Sequence, residues 1–296
     1  MRILISGSSG LIGSALCVAL AEQGHEIIRL VRSKEADGVY WNPDSLEIDA
    51  SGLENIQAVI HLAGKNVASE RWTESVKREI RDSRVRGTRL LAGTLAQMQT
   101  PPKVLITASA IGYYGDRGDE ILTEDSPAGT GFLAEVCEEW ERAVEPAREK
   151  GIRVVCLRLG TVLDPNEGAL AKMLRPFRFG LGGIMGTGEQ YWSWITLKDV
   201  VSAVIHCLQN EEINGPVNCT SPNPVTNREF TETLADTLSR PAFMPAPAFA
   251  LILVLGEMAE SLILSSVRVE PRKLLESGFH FRYPDLKGAL MEMVGE

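Results

Sequence analysis

Apolar and polar positions alternate between two patterns along most of the chain. Residues 2–6 form a continuous apolar run of strand length, and past Gly7, Gly10 and Gly13 residues 14–21 read as a helix. Residues 26–31 are a second strand. Residues 56–64 read as a third, 103–109 as a fourth, 151–160 as a fifth and 215–219 as a sixth. Helix formers dominate 70–98, 132–150, 199–208 and 227–238, with Phe132, Val136, Trp140 and Ala143 on one stripe. Residues 39–41 and 46–48 flank Asn42-Pro43-Asp44-Ser45 as a small hairpin or loop excursion. Repeated strand and helix predicts an α/β fold with a doubly wound parallel sheet and right-handed crossovers. The near-continuous apolar character of 151–160 suits a strand covered on both faces. Pro241, Pro245 and Pro247 mark a linker. Beyond it no strand alternation remains, only helical stretches at 271–278 and 286–294. The expected division is therefore 1–240, with insertions around 165–195, and a smaller, mostly helical lobe over 241–296.

Composition narrows the partners. With 296 residues, 44% of them hydrophobic, the chain can bury a full core, and a formal charge of −9 argues against nucleic acid or an anionic membrane. The five cysteines are widely spaced, without a CxxC or companion histidines, so they read as core residues of a reducing compartment, and no metal is expected. Met1 leads directly into a strand, and the most apolar late stretch, 249–255, is too short to span a bilayer. A cytoplasmic location is the expectation.

The order strand, glycine turn, helix at residues 2–21 is that of a dinucleotide site. Gly7 and Gly10 let the backbone turn and approach a ligand, and Gly13 permits close helix-strand packing. Leu11, Ile12 and Gly13 then present backbone N–H groups to a pyrophosphate at the positive end of the helix dipole. After the second strand an acidic residue would accept from the adenosine ribose. Val31 cannot, and Arg32 offers a fixed positive fork, which with the Ser33 hydroxyl suits a 2′-phosphate and so NADP. The alternative for Arg32 is a solvated strand-end charge.

Other positions carry candidate chemistry. The third strand ends in small residues where a cofactor would cross the sheet's carboxyl edge, and His61 there reads as packing or capping. Ser109, at the carboxyl end of the fourth strand and followed by Tyr113 and Tyr114, is a place for proton chemistry. The glycine-rich tract 176–188 leads into Trp192 and Trp194. With Met185 these aromatics either line an adaptable substrate pocket or pack between lobes. Asp199 reads as a cap or structural charge.

These residues together resemble the extended short-chain dehydrogenase/reductases. The marks are Gly7, Gly10 and Gly13, the strand end His61-Leu62-Ala63-Gly64, the Gly87-Thr88 pair, the 109–115 segment, and Trp194-Ile195 with Asp199. Within that branch the chain resembles the "epimerase family protein" group, which joins an epimerase/dehydratase-like NADP domain to a C-terminal domain of unknown function. The marks are Arg71-Trp72-Thr73, Ser83-Arg84-Val85, 177–188, and Glu270-Pro271 through Phe279-His280-Phe281. The resemblance implies a Rossmann fold, with Leu62, Ala63 and Gly64 under the nucleotide, Glu79 and Arg84 nearby, and the segment after Gly160 approaching the nicotinamide. It also exposes a departure. The Tyr-x-x-x-Lys pair of extended members is Phe132 and Val136 here, and neither can move a proton. Arg84 replaces an asparagine, and Thr196 a frequent histidine. Two readings follow: an NADP-dependent oxidoreductase or epimerase-like enzyme acting on a small molecule, with Tyr113 as proton donor and Ser109 orienting the carbonyl, or a non-catalytic NADPH-binding sensor or scaffold.

Overall fold

In a computed structural model that describes residues 1–295, the strands β1 (Arg2–Ser6), β2 (Glu26–Val31), β3 (Val39–Asn42), β4 (Glu47–Ile48), β5 (Ala58–His61), β6 (Val104–Ala110), β7 (Arg153–Leu159) and β8 (Gly215–Cys219) form one sheet. Its order is β8-β7-β6-β5-β1-β2-β3-β4. β1 lies parallel to both β2 and β5, so the strand order reverses beside it, which makes the carboxyl end of β1 the switch point where ligands of open α/β sheets bind. The residues at 39–48 form the hairpin, and it is part of the sheet. β3 pairs parallel with β2 through Leu30↔Val39, β4 returns antiparallel, and the buried Trp41 anchors this edge.

The helices follow the apolar stripes: α1 (Leu11–Glu22), α2 (Glu74–Gln97), α3 (Phe132–Arg142) and α4 (Glu145–Glu149). The single helix expected over 132–150 is broken at residues 143–144. Pro146 sits in the first turn of α4, where its missing N–H is harmless, but it could not continue an unbroken helix. By contacts the chain forms two compact units. The first is Met1–Ser109, Glu135–Leu157 and Val201–Val217, and the second is Ala110–Ala134, Arg158–Val200 and Asn218–Glu296. The first unit's core packs Leu4, Val59, Leu105 and Cys156 of the sheet with Leu91, Leu95 and Val144.

In the second unit, where α6 (Leu197–Gln209) begins, α5 (Gly168–Arg178), α7 (Asn227–Thr237) and the helix Leu286–Val294 pack together around Trp194 with Leu174, Phe230 and Leu290. After residue 240 the described residues hold helices joined by loops, among them α8 (Ala248–Leu255), and one named strand, Arg268–Val269. That pair runs parallel to Ile121–Leu122 and is too short to show alternation.

Asp199 ties this unit to its tail. Its Oδ1 accepts from Arg282 N at 2.7 Å and its Oδ2 from Tyr283 N at 3.1 Å, while Thr196 Oγ1 accepts from its backbone N–H at the start of α6. Asp199 is 1% exposed, so removing its carboxylate leaves two part-buried donors without their partner. Asp199→Ala is expected to destabilise the protein by about 2–4 kcal/mol and to open the tail to protease, read by urea denaturation and limited proteolysis.

Candidate functional site

The turn between β1 and α1 is built from backbone against backbone. Gly7 has φ +68° and lies under the chain at 62–63, where an added Cβ would come within 2.8 Å of Leu62 C. Gly13 faces the Gly7 carbonyl so closely that a Cβ would meet its oxygen at 2.1 Å. Gly10, the N-cap, supplies no side chain to the first turn of α1, and that turn holds no acidic residue. Its amides therefore point outward at the carboxyl edge of β1, a cradle that fits an anionic pyrophosphate.

The floor of this cradle is a polar chain that the sequence did not reveal. Ser6 Oγ accepts from the N–H groups of Leu62 (3.1 Å) and Ala63 (3.3 Å), and lies 2.6 Å from His61 Nδ1. With its oxygen so occupied, the hydroxyl proton goes to Nδ1, leaving the His61 proton on Nε2 to be donated to Thr88 Oγ1 at 3.0 Å. Thr88 Oγ1 also accepts from Trp140 Nε1 at 2.8 Å. His61 is fully buried, and burial pushes its pKa down to about 4, so it stays neutral. The neighbouring Gly87 is explained in the same way, since a Cβ there would press on the Trp41 ring at 3.2 Å.

Arg84 and Glu79 are committed to the protein itself. Arg84 Nη1 donates to Lys65 O (2.9 Å) and Ile80 O (3.2 Å), and its guanidinium lies against Gly64 and over the Trp140 ring at 5.1 Å. Glu79 is exposed and binds Lys65, which holds its carboxyl below the usual range and is itself shared with Glu70. Both side chains pin the segment after β5, and the carboxylate of Glu79 is spent on that task. Arg32 stands exposed at the end of β2, 3.5 Å from Asp44 Oδ2, and Ser33 Oγ accepts from Glu35 N at 3.2 Å.

Ser109 is buried at the end of β6 and donates to Glu141 Oε1 at 2.7 Å. Glu141 was not among the sequence candidates. Its signal was present in the sequence, because it follows the buried Ala134 and Cys137 at helical spacing and so shares their inward face. Val136, in the position of the usual lysine, is buried, and Phe132 half-buried.

The other candidates belong to the second unit. Tyr113 is half-buried, with the Arg158 guanidinium 3.5 Å from its ring centroid, and among the described residues its hydroxyl has no hydrogen-bond partner. Tyr114 differs. It is fully buried, its hydroxyl accepts from Arg158 and lies 2.6 Å from Asn218 Oδ1, and burial pushes its pKa up to about 12. For Trp194, where pocket wall and packing both stood open, the structure shows packing. It is fully buried in the second unit's core and donates its indole N–H to Asn223 O, so packing explains it. Trp192 is half-buried, packs on Phe230 and donates to Ile263 O. Met185 is also half-buried, with its N–H on Asn227 Oδ1.

Two measurements check this geometry. Gly13→Ala should lower the unfolding midpoint and abolish dinucleotide binding by calorimetry, whereas Gly93→Ala, where a Cβ meets nothing within 4 Å, should gain about 0.5–1 kcal/mol. The buried neutral His61 binds a proton more readily in the unfolded chain. Its stabilising contribution is therefore complete above about pH 6.5 and is lost as pH falls toward about 4. Denaturation at neutral and acid pH should show up to about 3 kcal/mol less acid sensitivity in His61→Gln than in the native chain.

Comparison with known proteins agrees with this geometry. Residues 3–219 match the NAD dependent epimerase/dehydratase family, and residues 246–293 match a domain of unknown function, DUF1731. The epimerase family protein ML0860 of Mycobacterium leprae is 41% identical over 290 residues, covering 97% of this chain and 94% of that one. A crystal structure of the human epimerase family protein SDR39U1 (isoform2) with NADPH superposes with a TM-score of 0.92 at 34% identity, over 99% of both chains. A nucleoside-diphosphate sugar epimerase from Corynebacterium glutamicum gives 0.83 at 36% identity, over 100% of this chain and 58% of that one. On its glycine cradle, its sheet order and these matches, the chain belongs to the NAD dependent epimerase/dehydratase family.

Proposed function

We propose that the protein is an NADP(H)-dependent oxidoreductase or epimerase-like enzyme of a reducing, cytoplasmic compartment, acting on a small carbonyl or alcohol compound. The observation that carries the reading is the β1–α1 cradle, where Gly7 and Gly13 leave no room for a Cβ and the uncapped first turn of α1 faces out. The NADPH bound to the human relative supports the choice of cofactor. In this chain Leu11, Ile12 and Gly13 would hold the pyrophosphate, and Arg32, released from its exposed pairing with Asp44, the 2′-phosphate. Bound there, the nicotinamide supplies or accepts a hydride.

The protein's own part is the proton. Among the described residues the Tyr113 hydroxyl has no hydrogen-bond partner, while Tyr114 is locked in a buried network and held protonated, so Tyr113 is the acid. In carbonyl reduction it gives its proton to the oxygen that becomes an alcohol. Ser109 donates its own proton to Glu141, which leaves the serine oxygen to accept from a substrate O–H and so to orient an alcohol. A second reading, binding of NADPH without turnover, is favoured by Phe132 and Val136 standing where the family's tyrosine and lysine belong.

Calorimetry should give tighter binding of NADPH than NADH, with Arg32→Ala weakening NADPH about tenfold or more, the cost of a charge-assisted phosphate contact. Deuterium transfer from 4-deuterated NADPH to a panel of carbonyl compounds should be detected in the native chain and fall about 10²-fold or more in Tyr113→Phe. Absence of transfer to any compound supports the binding-protein reading, and transfer indifferent to Tyr113→Phe removes Tyr113 as the acid.

A further inference from the structure

The second unit holds a guanidinium that none of this chemistry uses. Segment 266–269 lies along 191–193: Val267 N donates to Tyr191 O at 3.1 Å, Tyr191 N to Ser266 Oγ at 2.9 Å and Val269 N to Ser193 Oγ at 2.8 Å. Each backbone fixes the other. Val267 and Val269 enter a buried cluster with Tyr114 and Leu122, and strand alternation sends Arg268 to the opposite face. There its guanidinium lies 4.7 Å from the centroid of the Tyr191 ring.

Among the arginines of the second unit only Arg117, Arg158 and Arg268 are not exposed. Arg117 pairs with Glu120, and Arg158 donates to the Tyr114 hydroxyl and to Glu124 O. Arg268 differs from both, because among the described residues it has no ion pair and no hydrogen bond, and Glu270, two positions on, does not pair with it. The Tyr191 side chain is half-buried, and among the described residues its hydroxyl is likewise without a partner. A half-buried guanidinium with every N–H unspent, seated on a ring that carries an unspent phenol, is the donor set of an oxyanion site. The ring also holds the cation in place through its quadrupole, so little order remains to be lost when a ligand arrives.

Charge and shape select the anion. One planar fork and one phenol match two coplanar oxygens, and a single positive charge balances a carboxylate. A phosphate, with a charge of about −2, would be left partly uncompensated. The site also has a place in the chemistry. Tyr113 packs against the cluster that Val267 and Val269 enter, so the strand carrying Arg268 adjoins the proton donor.

We propose that Arg268 and Tyr191 bind a carboxylate, and that the substrate is an oxo acid or the corresponding hydroxy acid. Its carboxylate lies on the Arg268 fork, and its carbonyl oxygen faces Tyr113. The assignment of the substrate rests on the reading of Tyr113 as the acid, whereas the carboxylate site does not.

Calorimetry of the NADPH-loaded chain with short oxo acids and their methyl esters tests the site without turnover. At least one acid should bind, its ester should bind about tenfold or more weakly, and Arg268→Gln should abolish that preference at an unchanged thermal midpoint and NADPH affinity. Arg268→Lys keeps the charge without the fork and should restore part of it. Tyr191→Phe should weaken the acid and leave the ester alone. The acid that binds should then take label from 4-deuterated NADPH, with KM raised about tenfold or more in Arg268→Gln. Acid and ester bound alike, no acid bound, or Arg268→Gln weakening both alike overturns the proposal. Acid bound without label transfer keeps the carboxylate site and overturns the substrate assignment together with the reading of Tyr113. Dihydroxyacetone phosphate bound more tightly than every acid, and lost in Arg268→Gln, gives the fork to phosphate and overturns the carboxylate.

Discussion

The contact of Gly13 with the Gly7 carbonyl is the constraint on which the first unit depends. A helix can start this close to its strand only if neither chain carries a side chain at the contact, and here a single methyl would fall 2.1 Å from a carbonyl oxygen. That proximity delivers the uncapped amides of α1 to the carboxyl edge of β1, beside the point where the strand order reverses. Two consequences follow from one packing fact. The fold acquires its helix-sheet spacing, and the edge acquires an anion-binding turn.

Beneath that turn the protein uses polar groups where an apolar core would leave backbone donors unmet. Ser6 satisfies the amides of Leu62 and Ala63, and His61, kept neutral by burial, passes the requirement on to Thr88 and Trp140. Ser6 and His61 each give and receive, and Thr88 accepts from both His61 and Trp140, so the position of β5's end is fixed against α2 and α3 together. Arg84 completes the arrangement from the far side, holding Lys65 O while lying on Trp140.

The second unit separates buried order from exposed chemistry. Trp194, Tyr114 and Asp199 are almost wholly removed from solvent and spend their polar atoms on backbone or on each other's neighbours. Tyr113, one position before Tyr114, keeps its hydroxyl unengaged beneath the Arg158 guanidinium. Adjacent tyrosines thus differ in kind, because one points into the network and the other does not.

The sequence by itself determined the alternation of strands and helices, the β1–α1 turn and the family, because period, glycine spacing and turn chemistry are local properties of a chain. It also placed Asp199 as a structural charge. The tertiary structure decided the rest, since hydrogen-bond partners and burial are set by residues distant in sequence. It buried Trp194 in the core, set Glu79 on Lys65 and Arg84 Nη1 on Lys65 O, and drew Glu141 onto Ser109 across 32 positions. It also joined residues 39–48 to the sheet edge. It left α8, the most apolar stretch late in the chain, with no residue buried. Apolarity says that a surface is to be covered, but only the arrangement of the other elements shows whether the chain itself covers it.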